Sequence, residues 1–420
     1  MVVYAKSNGE TLEEHTKELI TLLKELKETR DADIFNRIPS KYRESFWHHL
    51  ELACKFHDTG KLHICFQNSM LKRLKQPLLM NNHHVRDIPH NLLSPSFMMY
   101  EISKIQDKNI QNCLLAAVAF SHSRRIEEFT LDDRDWKTVI EAINNDLAIR
   151  SDELKNFSNK FEITLSNPPQ SNYLRRIQQW KDYEIKTDEE IFYLFLKGFL
   201  HKLDYSASGG TKIEIPYQST DNTAIVKNYL IHKKNVPIEA IWQENLAITN
   251  RGKNVVLQAG TGSGKTEFSL FWAGNRKCFY TLPVRTSVNA MYERIRKTYD
   301  SSNVGLIHSD ALFYIYGRSK ANNTNEDSEE YSLKDVYNSR QLAMPINIST
   351  ADQLFTAVFK YPGFEKIYST LAYSTLVVDE IQSYDPDMVA VILKGLRDIA
   401  MIGGNFCLMT ATLPKFYLEN

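Results

Sequence analysis

The feature that most constrains the fold of this chain is a short apolar strand running into a glycine-rich loop that ends in a lysine. Residues 254–258 (NVVLQ) lead into 259–266 (AGTGSGKT), which departs from the strict phosphate-loop pattern only by alanine at its first position. Glycines let backbone amides approach phosphate oxygens closely, and the helix N-terminus that follows favours anions. A second strand, 375–380 (TLVVDE), ends in two carboxylates. Together the two patterns predict a parallel α/β domain that binds a nucleoside triphosphate.

Each residue of these two patterns has a predicted role in that site. Asp379 is expected to meet the magnesium shell, and Glu380 to orient or deprotonate the attacking water. Lys265 would reach the β and γ phosphates, and the Thr266 hydroxyl would bind magnesium. The predicted phosphate-binding residues are Gly260, Gly262, Ser263, Gly264, Lys265 and Thr266. A glycine-rich turn without nucleotide is the alternative.

The length of 420 residues predicts two to three globular units. Residues 1–208 have helical periodicity and few glycines, which predicts an all-helical domain. Residues 209–235 are predicted to be a linker or the start of the next domain, and 236–420 alternate short strands with helices. The fold class is therefore α + α/β, with the parallel sheet in the second part. The polar segment 320–331 has no period and predicts a mobile surface insertion.

Composition restricts the partners and the compartment. Lys plus Arg and Asp plus Glu both number 51, so any nucleic-acid contact depends on local basic patches. The five cysteines show no C-x-x-C spacing, which argues against a disulfide framework and a zinc knuckle and favours a reducing cytosol. No apolar stretch is long enough to cross a bilayer. The sequence predicts a cytoplasmic protein with no membrane partner.

Four apolar helical faces in the N-terminal part each carry one ionisable residue, and burying such a group is costly unless it pairs or binds an ion. These residues are His15, His57, His122 and Asp204. His57 is followed by Asp58, and neighbouring helical residues can both reach an ion beside the helix. Lys61 lies one turn from His57 and could approach a phosphate. The pattern favours a divalent metal site, with a polar helix end capped by Gly60 as the alternative.

These residues also resemble a known family. His15, residues 57–61 (HDTGK) and 66–67 (FQ) resemble the HD-type nuclease domain of the CRISPR-associated type I helicase-nucleases. Segments 90–94 (HNLLS), 121–123 (SHS) and 203–208 (LDYSAS) are similar to further segments of that domain. The resemblance implies one ion held by His15, His57, Asp58 and Asp204, and a second held by Asp58, His90 and His122.

The resemblance breaks at Ser123, where the family usually has a second histidine. His83 and His84 could substitute for it, or they could form a solvated surface loop. Two ions about 3.5–4 Å apart would suit in-line attack on a phosphodiester, with Asp58 as the bridge and Lys61 near the phosphate. Mixed histidine and carboxylate ligands favour Mn, Fe, Co or Ni over Mg alone.

The C-terminal part resembles superfamily 2 helicases. Residues 379–382 (DEIQ) resemble the DEAD/DEAH motif, and 410–412 (TAT) resemble the motif that links ATP state to DNA grip. Gln243 stands where such proteins often read adenine, with a plain helix surface as the alternative. Arg285, Thr286 and Thr350 lie in segments resembling motifs that touch one nucleic-acid strand, with ordinary turns or caps as the alternative.

The leading hypothesis is an HD nuclease that cuts single-stranded DNA, followed by the first RecA-like domain of an ATP- and Mg-dependent helicase. The resemblance implies recruitment by an RNA-guided type I surveillance complex. It also implies a second RecA-like lobe. We expect this lobe to be absent from these 420 residues, either because the chain is truncated or because a partner supplies the lobe. Two alternatives stay open. One is an HD phosphohydrolase acting on small nucleotides with an ATP-sensing domain, and the other is a non-catalytic nucleic-acid-binding scaffold with structural histidines.

Overall fold

A computed structural model describes residues 2–79, 88–122, 133–146, 151–180, 183–219, 221–299, 303–321 and 326–412. The chain divides into two compact units, one formed by Met1–Glu28 and Ile38–Gly209 and the other by Thr29–Arg37 and Gly210–Asn420. The first unit is helical in its described residues, and the second is built on a parallel sheet. The predicted fold class is confirmed. Across the described ranges, no helix combines the length and apolarity that a membrane span requires.

The helices of the first unit are separated by short turns. Their bounds are α1 Leu12–Phe35, α2 Phe46–Phe56, α3 Ile64–Arg73, α4 His90–Leu93, α5 Met99–Lys104, α6 Lys108–Ala119, α7 Asp133–Asp146, α8 Ser151–Phe161, α9 Leu174–Ile177 and α10 Asp188–Gly209. A 3-10 turn, Thr59–Leu62, follows α2. Helix α10 packs against α2 and α6, and Phe46 of α2 meets the rings of Phe192, Phe195 and Phe199 edge-on.

Helix α1 begins at residues 11–14 (TLEE), a sequence that fits the capping-box pattern. The Thr11 hydroxyl accepts a hydrogen bond from the Glu14 backbone amide at 3.1 Å, and the Glu14 carboxylate accepts one from the Thr11 amide at 2.8 Å. Two amides that lack helical partners are thereby satisfied. This start places Leu12 and His15 on the buried face of the helix.

The second unit contains six parallel strands in the order β1-β6-β5-β2-β4-β3. The bounds are β1 Val255–Gln258, β2 Cys278–Leu282, β3 Val304–Ile307, β4 Ile346–Thr350, β5 Thr375–Val378 and β6 Asn405–Thr410. Its helices are α11 Asn222–Asn228, α12 Trp242–Thr249, α13 Lys265–Ala273, α14 Arg285–Thr298, α15 Ala311–Ala321, α16 Glu326–Arg340, α17 Asp352–Phe355, α18 Phe364–Ala372 and α19 Pro386–Met401. Gln258 pairs with Thr410, and Leu282 with Thr350, so the carboxyl ends of these strands lie at one edge. Ligands of such sheets bind at that edge.

Two segments of the second unit can be compared with the sequence predictions. Val226 and Leu230 belong to the core of the second unit, so part of residues 209–235 is packed structure. The predicted irregular insertion at 320–331 is wrong for residues 326–331, which belong to α16. Residues 322–325 lie outside the described residues. A polar helix without an apolar stripe gives no helical period in its sequence, which explains the error.

A buried charge cluster joins three parts of the second unit. The Glu214 carboxylate accepts hydrogen bonds from Lys277 Nζ at 2.8 Å, from Arg30 Nε at 3.3 Å and from the Tyr373 hydroxyl at 2.5 Å. Arg30 lies in the last part of α1, within the short segment that belongs to this unit. Burial of these charges is tolerated because each has an opposite charge or a donor within reach.

Candidate metal and nucleotide sites

The structure brings together all six residues that the sequence predicts as metal ligands. They come from α1, the turn after α2, the start of α4, the bend that follows α6 and the buried part of α10. The ring nitrogens Nε2 of His57 and His90 each lie 3.2 Å from a different oxygen of Asp58. His15 Nε2 lies 3.5 Å and His122 Nε2 3.7 Å from the same carboxylate. Asp58 is therefore the centre of the cluster.

Asp204 closes the other side of this cluster. Its Oδ1 lies 3.1 Å from His15 Nε2 and 3.9 Å from His57 Nε2, and its Oδ2 lies 3.7 Å from His122 Nδ1. Two sets of side chains could each hold one ion, namely His15 with His57 and Asp58, and Asp58 with His90 and His122. The sets share Asp58, and Asp204 extends the first.

The turn carrying His57 and Asp58 is held against α4. The Ser94 hydroxyl donates to the His57 carbonyl at 2.7 Å and accepts from the Gly60 amide at 2.9 Å. A Cβ atom at Gly60 would lie 1.9 Å from the His90 carbonyl oxygen, so only glycine permits this approach. Close backbone contact is what brings the His90 ring to Asp58.

The chemistry of the cluster fits divalent cations. His57 Nε2, Asp58 Oδ1, His90 Nε2 and His122 Nε2 are buried, and none makes a hydrogen bond of regular geometry within the described chain. Burying such atoms without partners costs about 1–3 kcal/mol each. Four of them converging on one point is an arrangement that a bound cation would stabilise.

The pKa shifts of His90, Asp58 and Asp204 suit metal ligands, whereas that of His57 favours the protonated ring while no ion is bound. Burial lowers the pKa of His90 to about 4, so its ring is neutral near neutral pH. Burial opposes ionisation of Asp58, but His57 and Lys61 outweigh it and hold the pKa of Asp58 well below its usual range. Burial likewise opposes ionisation of Asp204, and the hydrogen bond from His15 leads the effects that lower its pKa. Burial would lower the pKa of His57, but Asp58 raises it overall.

Lys61 lies beside the cluster of predicted metal ligands. Its Nζ atom donates to Asp58 Oδ2 at 2.6 Å, and the side chain is buried in the 3-10 turn after α2. Residues His83, His84 and Ser123, on which the number of ions was expected to depend, lie outside the described residues.

The predicted phosphate loop lies between β1 and α13, at the sheet edge described above. Gly262 and Gly264 have positive φ values of 80° and 91°, which glycine adopts without strain. Lys265 is the first residue of α13, and its Nζ donates to the Ala259 carbonyl at 2.9 Å. The loop borders a cavity of about 670 Å³ whose lining includes residues 261–267, Gln243, Asp379 and Glu380.

The two carboxylates after β5 face this cavity. Asp379 accepts a hydrogen bond from the Tyr280 hydroxyl at 2.5 Å, and burial is the main cause that raises the pKa of Asp379. Glu380 adopts the left-handed conformation with φ 54°, and its Oε1 lies 3.7 Å from Lys265 Nζ. Tyr280 on β2 was missed from the sequence, because nothing in an apolar strand shows that one hydroxyl meets an acid from a neighbouring strand.

Gln243 is buried rather than exposed on a helix surface. Its Nε2 donates to the Ser263 carbonyl at 3.2 Å, and its Oε1 makes no hydrogen bond in the described structure. A Cβ atom at Gly264 would lie 2.1 Å from Gln243 Nε2, so the amide lies directly against the phosphate loop. The neighbouring Trp242 also lines the cavity.

The three residues predicted to contact nucleic acid differ in exposure. Arg285 and Thr286 are the first residues of α14 and are exposed, and Arg285 pairs with Asp310. Thr350 ends β4 and is buried. The start of α14 thus offers an accessible cation, whereas the Thr350 side chain has little surface.

Comparisons agree with both units. A family model described as DEAD/DEAH box helicase matches residues 240–419. The CRISPR-associated nuclease/helicase Cas3 of Methanothermobacter thermautotrophicus is 27% identical over 470 residues, covering 99% of this chain and 54% of that protein. The Escherichia coli (strain K12) CRISPR-associated endonuclease/helicase Cas3 is 28% identical over 38% of this chain and 20% of its own length.

Solved structures show the same fold. The crystal structure of T. fusca Cas3-ADP superposes with a TM-score of 0.62 at 16% identity, covering 97% of this chain and 50% of that one. A chain of a structure described as a CRISPR RNA-guided surveillance complex, pre-nicking, gives a TM-score of 0.55 at 15% identity, covering 98% and 48%. The chain thus spans about half the length of the first relative and of these two structures.

The fold and sites define a helical unit with a histidine and aspartate cluster, followed by a parallel-sheet unit that matches the DEAD/DEAH box helicase model. The chain is similar to the CRISPR-associated nuclease/helicases, and the predicted resemblance is confirmed.

Proposed function

We propose that the chain combines an HD-type metal-dependent DNA nuclease with the first RecA-like domain of an ATP-dependent helicase, acting in CRISPR type I interference. In this proposal the nuclease occupies residues 1–208 and the helicase domain 236–420, with 209–235 leading into it. The observation that carries the nuclease assignment is the convergence of three buried ring nitrogens, from His57, His90 and His122, on the Asp58 carboxylate. The Cas3 relatives supply the biological setting.

In the nuclease site, one ion would be held by His15, His57, Asp58 and Asp204, and another by Asp58, His90 and His122. Bound divalent ions would supply Lewis-acid activation of water and would stabilise charge on a phosphodiester. Lys61 holds Asp58 Oδ2 at 2.6 Å and thereby fixes the orientation of the shared carboxylate. The ammonium of Lys61 also adds positive charge where an anionic substrate would approach.

In the nucleotide site, the backbone of residues 260–266 and Lys265 would bind the phosphates of ATP. Asp379 would meet the magnesium ion, and Tyr280 would hold that carboxylate in place through its hydroxyl. Glu380 would orient the attacking water, and the buried Gln243 amide would read adenine. Residues 261–266, Gln243, Asp379 and Glu380 line one cavity, which supports a shared function.

The proposed substrate is single-stranded DNA, and the proposed partner is an RNA-guided type I surveillance complex. Arg285, Thr286 and Thr350 would contact one strand at the sheet edge. Contacts of this kind position a strand without reading its bases. The proposed ions are Mn, Ni, Co, Fe or Mg in the nuclease site and Mg with ATP.

The test is digestion of circular single-stranded DNA by the purified chain with added Mn²⁺ or Ni²⁺. Asp58→Ala should abolish cutting and keep ATP binding, whereas Lys265→Ala should weaken ATP binding and keep metal-dependent cutting. A panel of mononucleotides run in parallel should be hydrolysed poorly. DNA cutting that survives in Asp58→Ala, or hydrolysis confined to mononucleotides, would refute the assignment.

A further inference from the structure

The segment before α1 places a carboxylate on the outer side of His15. Glu10 Oε1 lies 2.9 Å from His15 Nδ1, while the opposite ring nitrogen, Nε2, lies 3.1 Å from Asp204 Oδ1. When an ion occupies the site, a hydrogen on Nδ1 shared with Glu10 leaves the lone pair of Nε2 free for that ion, whereas without an ion Nε2 can donate to Asp204. A carboxylate on the outer nitrogen of a ligating histidine fixes the tautomer, orients the ring and raises its basicity.

Glu10 is itself held in a defined position. Its backbone carbonyl accepts from the Ala5 amide at 2.7 Å, next to an antiparallel bridge between Tyr4 and Thr11. Its second carboxylate oxygen accepts from Lys6 Nζ at 2.8 Å. The carboxylate is therefore anchored through both its backbone and its side chain, which is what an orienting group needs.

The side chain of Gln67 connects the segment before α1 with Lys61 beside the cluster. This buried amide accepts from the Tyr4 backbone at 3.0 Å and donates to the Tyr4 carbonyl at 2.9 Å. Its Nε2 also donates to the Lys61 carbonyl at 2.7 Å. One side chain thus fixes both the segment that carries Glu10 and the residue whose ammonium holds Asp58.

His57 provides an internal comparison. Its Nδ1 lies 2.8 Å from the Cys54 backbone carbonyl, a neutral acceptor that any residue at position 54 would offer. His15 is held instead by the carboxylate side chain of Glu10, and this contact can be removed by substitution.

We propose that Glu10 is a positioning residue of the metal site, which holds His15 with Nε2 directed at the ion shared with His57, Asp58 and Asp204. This inference rests on the proposed nuclease metal site. Glu10 acts through His15 and is not itself a ligand.

The experiment is a Mn²⁺ titration of the full chain, with free Mn²⁺ measured by electron paramagnetic resonance. Glu10→Ala should weaken the Mn²⁺ affinity of the site that contains His15 by about 10–100-fold. The Mn²⁺ affinity of the site formed by Asp58, His90 and His122 should stay unchanged. Glu10→Gln keeps an acceptor oxygen and should give an intermediate affinity. Glu13→Gln is the matched control, because Glu13 pairs with Lys160 and should leave both affinities unchanged.

A second readout is the ¹⁵N spectrum of histidine-labelled protein during titration with diamagnetic Zn²⁺. The parent chain should show His15 with hydrogen on Nδ1 and Nε2 bound to the ion, and Glu10→Ala should reach this state only at higher Zn²⁺ concentration. Equal Mn²⁺ affinity in Glu10→Ala and the parent, with an unchanged His15 spectrum, would overturn the role of Glu10 alone. An equal loss of Mn²⁺ affinity at both sites in Glu10→Gln would also overturn the role of Glu10. A parent chain that binds no Mn²⁺ would overturn this inference and the proposed metal site together.

Discussion

Replacing Gly60 with alanine is expected to separate His90 from Asp58, because the added methyl group has no room. The new Cβ would lie 1.9 Å from the His90 carbonyl oxygen and 2.9 Å from the Ser94 amide nitrogen, both backbone atoms. To reach ordinary contact at 3.4 Å, the start of α4 would have to recede by about 1.5 Å. That movement would break the 3.2 Å approach of His90 Nε2 to Asp58 Oδ1.

The free energy of unfolding should fall by an amount near the upper end of the range of about 1–3 kcal/mol that overpacking causes, because backbone atoms rather than a flexible side chain must move. The assay is urea denaturation of the metal-free chain, together with a Mn²⁺ titration. Gly317→Ala is the control, because nothing lies within 4 Å of a Cβ there and the residue is helical, so this change should be neutral or stabilising. An unfolding transition and Mn²⁺ affinity that are unchanged in Gly60→Ala would refute the reasoning.

Three further predictions follow from other contacts. Glu214→Ala should lower the free energy of unfolding by about 3–5 kcal/mol in denaturation, because it removes the Glu214 carboxylate from the buried Lys277 and leaves Arg30 with Asp33 alone; a loss below about 1 kcal/mol would contradict this. Tyr280→Phe should weaken Mg-dependent ATP binding by about 0.5–1.5 kcal/mol in calorimetry, since Asp379 loses its donor; unchanged affinity would count against it. Burial lowers the pKa of His49 from 6.5 to about 4, so the unfolded chain binds the proton more readily, and the free energy of unfolding should fall as pH drops across that interval. His49→Leu should flatten this dependence, and an unaltered slope would argue against the assignment.

Sequence patterns predicted most of the architecture because the decisive signals are local. The strand, glycine loop and lysine around Lys265 form one contiguous segment, as do the capping residues Thr11 and Glu14. Four members of the metal cluster were predicted from apolar helical faces, whereas His90 was predicted only through the family resemblance. His15, His57 and Asp204 are buried, as that reasoning requires, but His122 lies beyond the end of α6 and is partly exposed.

The remainder depends on contacts between distant segments that no local pattern records. Glu10 precedes its helix in a turn, and only the fold of the N-terminal segment shows that it reaches His15. Tyr280 meets Asp379 from a neighbouring strand, and Gln67 joins Tyr4 to Lys61. Helix α16 was missed because its sequence lacks an apolar stripe, so a helical segment was interpreted as irregular.

The most direct test of the account is the anomalous diffraction signal of crystals soaked in Mn²⁺. One peak is expected within coordination distance of His15, His57, Asp58 and Asp204, and a second beside His90 and His122. The first peak should be weaker or absent in Asp204→Asn. Crystals that bind Mn²⁺ only elsewhere, or that show no peak among these side chains, would contradict the proposal that they form a metal-dependent catalytic site.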